Sequence, residues 1–489
     1  MKIDAQSQIL LDIAHFAMLS HGLEPKFSED VIQHLKGISK PADAGNETLP
    51  DLTHLLWCSI DNDDSMDLDQ ITVAEKLSDG RVKLCVAVAD VEAVVKMGDP
   101  IDQHAEKNTT SVYTGVKIFP MLPEKLSTNL TSFSEGENRL AFIIEMVFNK
   151  NGDLEESNVY SALVRNQAKL AYSSVGAWLE GVALLPEAVH RVKGMDEQLK
   201  MQDELAQKMK LLRYKQGALE LETIEPKAVI KEGLVFELKQ ERKNRAHALI
   251  EDFMIAANGV TARYLAHAGY PSLRRVVRSP ERWERIVEVA LALGEKLPFN
   301  PNSKALSDFL SRRRVADPLR FPDLSLTIVK LLGRGEYILE MPNQNALGHF
   351  GLAVQDYTHS TAPNRRFPDL ITQRMLKAAF NKGALPYTPD ELAALASHCT
   401  LQEDAANKVE RHLRKSAAAL FLSSRIGAQF DAIVTGVSDQ GTWARVISPP
   451  VEGKLVRNAN KLKVGNKIRV KLLSVDVDHG FIDFKKIDH

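Results

Sequence analysis

Cysteine is scarce in this chain of 489 residues, and Cys58, Cys85 and Cys399 show neither CxxC nor CxxH spacing. An odd, scattered set excludes a disulfide framework and a cysteine-based zinc site. The chain also has no run of eighteen apolar residues, which excludes a membrane-spanning helix. Its N-terminal apolar stretch is interrupted by Asp12 and His15 and makes a poor signal peptide. We therefore expect a cytoplasmic protein that does not contact a membrane.

An excess of charge of one sign is also missing. The 62 basic and 64 acidic residues leave a net charge of −2, which excludes a globally basic coat for nucleic acid. The charge is instead segregated along the chain. Residues 51–80 contain eight acidic side chains and one lysine, whereas residues 451–475 contain seven basic side chains and one acid, Glu452. A polyanionic ligand must therefore meet a locally basic surface.

The length predicts about three domains, and the sequence patterns divide the chain unequally. Residues 1–50 show two amphipathic helical patterns, at 6–20 and 28–37, which suit a small helical module of the helix-turn-helix type. Ser28 is a suitable N-cap for the second helix, because two acidic residues follow it in the first turn.

The central segment, residues 51–428, mixes the two kinds of periodicity and predicts one large α+β catalytic domain. Short β-type runs between 53 and 95 indicate a mixed or antiparallel sheet. Residues 429–489 return to alternating strands with glycine-containing turns, which predict a five-stranded closed barrel of the OB-fold type. Surrounding helices are predicted at 195–215, 246–266, 369–381 and 390–426.

An acidic loop follows the first predicted strand. It contains Asp61, Asp63, Asp64, Asp67 and Asp69, which are five aspartates in nine positions. Crowded carboxylates stay ionised more easily when a cation joins them, and hard oxygen ligands suit Mg²⁺ or Mn²⁺. If the end of the loop is extended, Asp67 and Asp69 share one face and Asp61 approaches from the strand. This arrangement predicts a three-carboxylate metal pocket.

Spacing alone leaves other interpretations of the loop open. A run of aspartates is often only a solvated turn. An EF-hand is excluded, because Met66 stands where its glycine belongs and Thr72 where its glutamate belongs. A phosphatase DxD loop fits badly, because Ser65 and Met66 precede the motif in place of a hydrophobic strand.

A series of motifs in one order resembles the RNB family, the exoribonucleases of the RNase II and RNase R type. The resemblance spans residues 59–370, and the barrel resembles the S1 RNA-binding domain that often follows in that family. The matching segments are SIDNDDSMDLDQ at 59–70, VAVADV at 86–91, TTSVYTGVKIFPMLPEKLSTNLTSF at 109–133, AKLAY at 168–172, QGALEL at 216–221, LIEDFMIAAN at 249–258, PSLRRV at 271–276, HFGLA at 349–353 and YTHSTAPNRRFPDL at 357–370.

The resemblance implies processive hydrolysis of single-stranded RNA from its 3′ end, dependent on Mg²⁺ with Mn²⁺ as an alternative, and releasing nucleoside 5′-monophosphates. It implies that Asp61, Asp67, Asp69 and Gln70 form the metal site, and that Asp67, Asp69 and Arg365 are catalytic. A guanidinium suits the grip on the scissile phosphate. We expect a monomer that requires no protein partner.

The same resemblance implies five RNA contacts. Tyr113 would stack on a base near the 3′ end, a sequence-independent contact because every base offers a π-face. Tyr172 and Glu251 would recognise the ribose, and Arg275 and Arg366 would contact the RNA in the channel. A surface salt bridge is an equally good explanation of Arg275.

Three departures from the family pattern bear on activity. Gln70 stands where the family has a fourth aspartate, so one full charge is lost at the metal site. The alternative function is therefore a catalytically weak or inactive RNB-like RNA-binding protein. Leu221 replaces an aromatic ring that many relatives use in the base stack, and the first fifty residues are too few for two cold-shock barrels. A metal phosphatase on another fold is the remote third candidate.

Overall fold

The computed structural model describes residues 5–43, 45, 48–224, 226–231, 234–240, 242–344 and 346–487. No helix in these ranges is both long enough and apolar enough to cross a membrane. The α-helices are α1 Ala5–Ser20, α2 Glu29–Gly37, α3 Pro100–Asn108, α4 Tyr172–Leu179, α5 Glu187–His190, α6 Met195–Gln216, α7 Arg245–His267, α8 Trp283–Ala292, α9 Ser303–Ala316, α10 Phe321–Leu332, α11 Phe367–Phe380 and α12 Pro389–Leu422.

The described strands form a six-stranded sheet, three two-stranded ribbons and a closed barrel. Short turns of other helix types occur at Leu126–Leu130 and Ser423–Arg425. The strands are β1 Cys58–Asp61, β2 Gln70–Lys76, β3 Val82–Ala89, β4 Val112–Tyr113, β5 Ile118–Phe119, β6 Asn138–Phe148, β7 Leu154–Arg165, β8 Ala168–Ala171, β9 Pro226–Lys231, β10 Leu234–Gln240, β11 Ser272–Val276, β12 Glu336–Glu340, β13 Gln429–Ser438, β14 Gly441–Val446, β15 Glu452–Arg457, β16 Lys467–Asp476 and β17 Phe481–Ile487.

The large sheet has the strand order β7-β6-β3-β2-β1-β8. Strands β1 and β8 run parallel, with Asp61 beside Ala171, and the other neighbouring strands are antiparallel. Every residue of β3 from Leu84 to Ala89 is buried, as the unbroken apolar run requires of a central strand. The mixed sheet with surrounding helices is therefore confirmed.

Helices α6 and α7 pack against the sheet and close its core. Trp57, Phe142, Phe253 and Phe367 are completely or almost completely buried in one cluster. Burial of each such side chain contributes about 2–3 kcal/mol. This core holds β1, β2 and α11 in fixed positions, and these are the elements that border the acidic loop.

The C-terminal barrel is closed in the order β13-β14-β15-β17-β16, as predicted. Strand β16 shows how the sequence encodes it. Ile468, Val470 and Leu472 point into the barrel, and the basic residues between them are exposed. An ion pair between Arg445 and Asp323 of α10, 2.9 Å apart, joins the barrel to the rest of the molecule.

The two N-terminal helices pack against different parts of the molecule. Helix α1 buries Met18 with Val409 and Leu413 of α12, and α2 packs against α3. The predicted N-cap of α2 is confirmed, because the Ser28 hydroxyl accepts the N–H of Val31 at 3.3 Å. The predicted domain limits at residues 50 and 428 stay predictions.

Helix α12 is the longest described element, at 34 residues. It begins with a capping box between Thr388 and Glu391 and spans about 50 Å. Along this length it contacts α1, β4, β12, β9 and β10, then β16 and β17 of the barrel. Leu420 and Leu422 at its end belong to the apolar cluster of the barrel, so α12 connects the part of the molecule that contains the large sheet to the barrel.

Candidate active site

The acidic loop, residues 61–69, joins β1 to β2. Ser132 holds its second half, because its hydroxyl accepts the N–H of Leu68 at 2.9 Å and donates to the carbonyl of Met66 at 2.7 Å. The N–H of Phe133 donates to the carbonyl of Leu68 at 3.1 Å. Bonds from a neighbouring segment therefore fix the loop and the carboxylates that it carries.

Asp69 is the most buried carboxylate of the loop, with 2% of its surface exposed. Its Oδ1 accepts the backbone N–H of Asn364 at 3.0 Å, and its Oδ2 accepts Nε of Arg365 at 2.8 Å. Burial raises the pKa of Asp69 to about 7, although the positive charge of Arg365 opposes this shift. The segment that precedes α11 is thus joined to the acidic loop through one ion pair.

Asp61 and Asp67 complete the acidic surroundings. Asp61 ends β1, and its Oδ1 accepts the N–H of Asn62 at 2.7 Å. Asp67 accepts the hydroxyl of Tyr113 at 3.1 Å. Burial raises the pKa of Asp61, and the charge of Asp67 adds to the shift, whereas Asn62 and Arg365 oppose it. The charge of Asp67 therefore acts on both Asp61 and Asp69, and these two carboxylates share one cation, Arg365.

The donor set suits a hard divalent cation, because carboxylate oxygens are the ligands that Mg²⁺ and Mn²⁺ prefer. Within the described ranges, however, no three His, Cys, Asp or Glu side chains are arranged as a finished ligand set. Both oxygens of Asp69 are engaged, one by an amide and one by a guanidinium. The residues fit such an ion by their chemistry, and the ligand set Asp61, Asp67, Asp69 and Gln70 stays a prediction.

Gln70 is the first residue of β2 and is half-buried beside Val88 of β3. Among the residues that the structure describes, its side-chain amide has no hydrogen-bond partner. A carboxylate here would add a fourth negative charge directly after Asp69. Within the described part of the chain the amide gains no compensating bond, and the Gln70→Asp variant measures its effect on activity.

Arg365 and Arg366 are neighbours in the chain and have different surroundings. The Arg365 side chain is 40% exposed and contacts Asp69. Arg366 is only 25% exposed, and its Nη2 donates at 2.7 Å to Asp369, which is completely buried. Asp369 also accepts the N–H of Ala362 at 2.8 Å. Arg365 therefore faces the acidic loop, whereas Arg366 is committed to an internal ion pair.

Tyr113 presents a ring beside the acidic loop. Its residue surface is 38% exposed, and its backbone N–H donates at 2.9 Å to Glu410 of α12. Burial of the hydroxyl raises the pKa of Tyr113, and the charge of Asp67 adds to this. The hydroxyl is tethered while part of the ring stays accessible, which suits a stacking platform.

Tyr172 and Glu251 lie on a second side of the site. Tyr172 begins α4, and its ring stacks on His247 with centroids 4.0 Å apart. Burial raises the pKa of Tyr172, and the charges of Asp61 and Glu251 add to the shift. Glu251 accepts Nζ of Lys243 at 2.6 Å. The structure thus brings Tyr172, Glu251 and the acidic loop together.

Arg275 belongs to a different cluster. Its Nη2 lies 2.7 Å from Glu403 of α12, and its guanidinium lies over the ring of Tyr337 at 4.7 Å. Only 14% of the side chain is exposed. These contacts tie β11 to β12 and α12, and its predicted contact with RNA stays a prediction.

A basic groove of about 310 Å³ lies between α12, the residue that follows α1 and the barrel. His479 stacks on Phe481, whose surface is 61% exposed. No described residue of the lining is acidic, so the groove combines local positive charge with the solvent-exposed ring of Phe481. The lining residues are His21, Lys408, Arg411, His412, Lys415, His479 and Phe481.

Sequence reasoning missed several residues that organise the site. Asn364 lies within a motif that was noticed, but its contribution is a backbone N–H, which no side-chain pattern reveals. Ser132 also acts through backbone groups. Lys243 and His247 could have been found from the sequence, because both lie within eight residues of Glu251, at the start of a predicted helix.

Comparisons with known proteins give a consistent result for both parts of the chain. A family model described as the RNB domain matches residues 50–382, and one described as the RNase II-type exonuclease C-terminal S1 domain matches residues 428–487. Ribonuclease R of Aquifex aeolicus is 30% identical over 503 residues, covering 96% of this chain and 69% of that protein.

Two solved structures share the fold. Mycoplasma genitalium RNase R in complex with ribose methylated single-stranded RNA has a TM-score of 0.88 at 23% identity, over 98% of this chain and 78% of that one. Yeast Ssd1, described as a pseudonuclease, has a TM-score of 0.67 at 16% identity, over 85% of this chain and 51% of that one. At sequence identities of 23% and 16%, these two structures show only that the fold is shared.

Proposed function

Because the chain belongs to the RNB family, we propose that it is an exoribonuclease that hydrolyses single-stranded RNA processively from the 3′ end and releases nucleoside 5′-monophosphates. The observation that carries this proposal is the ion pair between Arg365 and the buried Asp69, with Asp61 and Asp67 close by. One exposed guanidinium among carboxylates can hold a phosphate where a metal ion would also reach it.

The proposal gives each side chain a separate task. Arg365 binds the scissile phosphate, for which a guanidinium is well shaped. The exposed ring of Tyr113 stacks on a base. Tyr172 and Glu251 hydrogen-bond the ribose, which distinguishes RNA from DNA through its 2′-hydroxyl. Contacts of Arg275 and Arg366 with RNA are the least supported part, since both guanidinium groups already have internal partners.

The proposed cofactor is Mg²⁺, with Mn²⁺ as the alternative, held by Asp61, Asp67, Asp69 and the amide oxygen of Gln70. When bound, such an ion polarises phosphoryl oxygens and lowers the pKa of a coordinated water. Asp69 holds Arg365 in place through Oδ2. The tether from Tyr113 orients Asp67, and Ser132 keeps the backbone of the loop from moving.

Single-stranded RNA is the proposed partner outside the site as well. The basic groove combines Lys408, Arg411 and Lys415 with the open ring of Phe481, which suits phosphates and bases together. Binding that depends on such contacts weakens as salt rises. The proposed protein is a cytoplasmic monomer that needs no protein partner. Its three proposed domains meet at residues 50 and 428.

The second candidate function is an RNB-like RNA-binding protein with weak or no catalysis. Gln70 favours it, because the amide removes a charge next to Asp69. The likeness to a structure described as a pseudonuclease shows that this fold alone does not decide between the two functions.

The deciding experiment incubates the full chain with 5′-labelled single-stranded RNA and Mg²⁺, and compares it with the Asp69→Asn and Gln70→Asp variants. We expect the native chain to shorten the RNA from its 3′ end, and Asp69→Asn to slow this by about 100-fold or more, since Arg365 loses its charged partner. Gln70→Asp should retain activity.

Two controls separate the candidates. A circular RNA should stay intact, and its degradation would exclude an exonuclease. If the native chain leaves linear RNA unchanged while Gln70→Asp degrades it, the chain is an inactive RNA-binding protein and the first proposal fails.

A further inference from the structure

A cavity of about 570 Å³ lies apart from the candidate active site, between the C-terminal half of α7, the middle of β7 and the end of α11. Along α7, Arg263 in this cavity is twelve residues beyond Glu251, a rise of about 18 Å. The cavity therefore opens at the opposite end of the helix that carries the predicted ribose contact.

The lining of this cavity is basic. Arg263, His267 and Lys382 contribute cationic or protonatable groups, and Ser157 and Asn158 contribute hydrogen-bond donors. None of the described residues that line it is acidic. An anion that entered would therefore meet positive charge and donors without a competing carboxylate in the lining.

Arg263 is half-buried, and among the described residues it has no carboxylate within ion-pair distance. Within the described ranges its guanidinium makes no hydrogen bond and no ion pair. Burial lowers the pKa of Arg263, and the charge of Asp356 opposes that shift. Asp356 lies 3.9 Å from Arg274, which is paired with Glu340 at 2.9 Å. A bound anion would supply the missing partner.

The position of Lys382 is fixed by the end of α11. Its φ of +47° is left-handed, a conformation that favours glycine or asparagine after a helix. The hydroxyl of Tyr270 lies 2.7 Å from the carbonyl of Gly383 and 3.1 Å from that of Ala378, which holds this turn. The lysine is thus presented to the cavity by a rigid turn.

We propose that this cavity binds a nucleoside 5′-monophosphate, with its phosphate on Arg263 and Lys382 and its base against Tyr264 or Tyr270. The volume lies within the range of small-molecule sites, whereas a free phosphate would fill only a small part of it. The choice of nucleotide rests on the proposed function, because nucleoside 5′-monophosphates are its product.

The test measures binding of AMP and of inorganic phosphate by calorimetry on the full chain carrying Arg365→Ala, which removes the phosphate contact of the candidate active site. AMP should bind, and the additional pair Arg263→Ala and Lys382→Gln should raise its Kd at least about tenfold. Arg263→Lys should bind more tightly than Arg263→Ala, since lysine keeps a point charge for the phosphate. Lys193→Gln is the matched control, an exposed lysine outside the cavity.

The proposed site would be overturned if AMP did not bind, or if the Arg263→Ala and Lys382→Gln substitutions together left the Kd of AMP unchanged. Phosphate binding as tight as that of AMP would overturn the nucleotide assignment. In the otherwise native chain, the same pair should leave the rate of RNA degradation unchanged. If no variant degrades RNA, the proposed function fails while the AMP result still stands by itself.

Discussion

Replacing Arg366 by alanine should damage the fold more than the binding of RNA. Asp369 is completely buried and would lose Nη2 of Arg366, so that among the described residues it would keep one donor, the N–H of Ala362. Breaking a buried ion pair costs about 3–5 kcal/mol, and since a quarter of the Arg366 side chain is exposed we expect about 3 kcal/mol.

The matched substitution is Arg365→Ala, one residue earlier. Its side chain is 40% exposed, and Asp69 keeps the N–H of Asn364. Because the pKa of Asp69 is already about 7, this carboxyl can take up a proton near neutral pH and limit the loss to about 1 kcal/mol. RNA degradation should nevertheless fall by about 100-fold or more.

The assay combines urea unfolding followed by circular dichroism with anisotropy of a labelled RNA in EDTA, at a temperature where both variants are folded. Arg366→Ala should lower the free energy of unfolding and leave RNA affinity within about twofold of the native value. The double variant Arg366→Ala with Asp369→Ala should lose less than the sum of the single losses. A loss below about 1 kcal/mol together with RNA binding weakened tenfold would refute this reasoning and support Arg366 as an RNA contact.

Three further outcomes are expected. Tyr113→Ala should weaken RNA binding by about 1–3 kcal/mol in an anisotropy titration, because the substitution removes a ring on which a base stacks. Tyr113→Phe keeps the ring and should bind RNA nearly as tightly as the native chain. Equal losses of affinity in the two variants would contradict stacking. Replacing Lys408 and Lys415 by glutamine should make the dependence of log K on log salt shallower by about 0.7 for each phosphate contact, and an unchanged slope would remove the basic groove from the RNA path. Burial lowers the pKa of His349 from 6.5 to about 4, with Arg275 adding to the shift. The stability that this neutral imidazole contributes is therefore fully present above pH about 6.5 and is lost as pH falls toward 4. Urea unfolding at pH 5 and at pH 7 should differ by about 2 kcal/mol, and His349→Gln should reduce the difference; a difference that His349→Gln leaves unchanged would assign it to other groups.

The sequence was sufficient to predict the helices and strands that a pattern of neighbouring residues encodes. The alternating residues of β16 and the long apolar stripe of α12 predict a barrel strand and a helix, and both are confirmed, although α12 ends at Leu422 and not at residue 426. The helices α8 to α10 were not predicted. The packing of α1 against α12 was not predicted either, because nearly 400 residues separate these two helices in the chain.

For the site, the acidic pattern located the loop but could not distinguish adjacent arginines. Arg366 has an extended backbone, with φ −139° and ψ 123°, so successive side chains point to opposite sides. That geometry sends Arg365 toward Asp69 and Arg366 toward Asp369. The tether between Tyr113 and Asp67 likewise joins residues 46 positions apart, which no single-sequence pattern specifies.

Helix α12 also has a mechanical consequence. Glu410 on this helix accepts the backbone N–H of Tyr113, and three turns later Leu420 and Leu422 are embedded in the barrel. A helix is stiff along its axis, so a force applied to the barrel is transmitted along α12 to the residues that contact its other turns. A strand of RNA that pulled on the barrel would therefore also displace the ring of Tyr113, so tension in the RNA would reach the candidate active site.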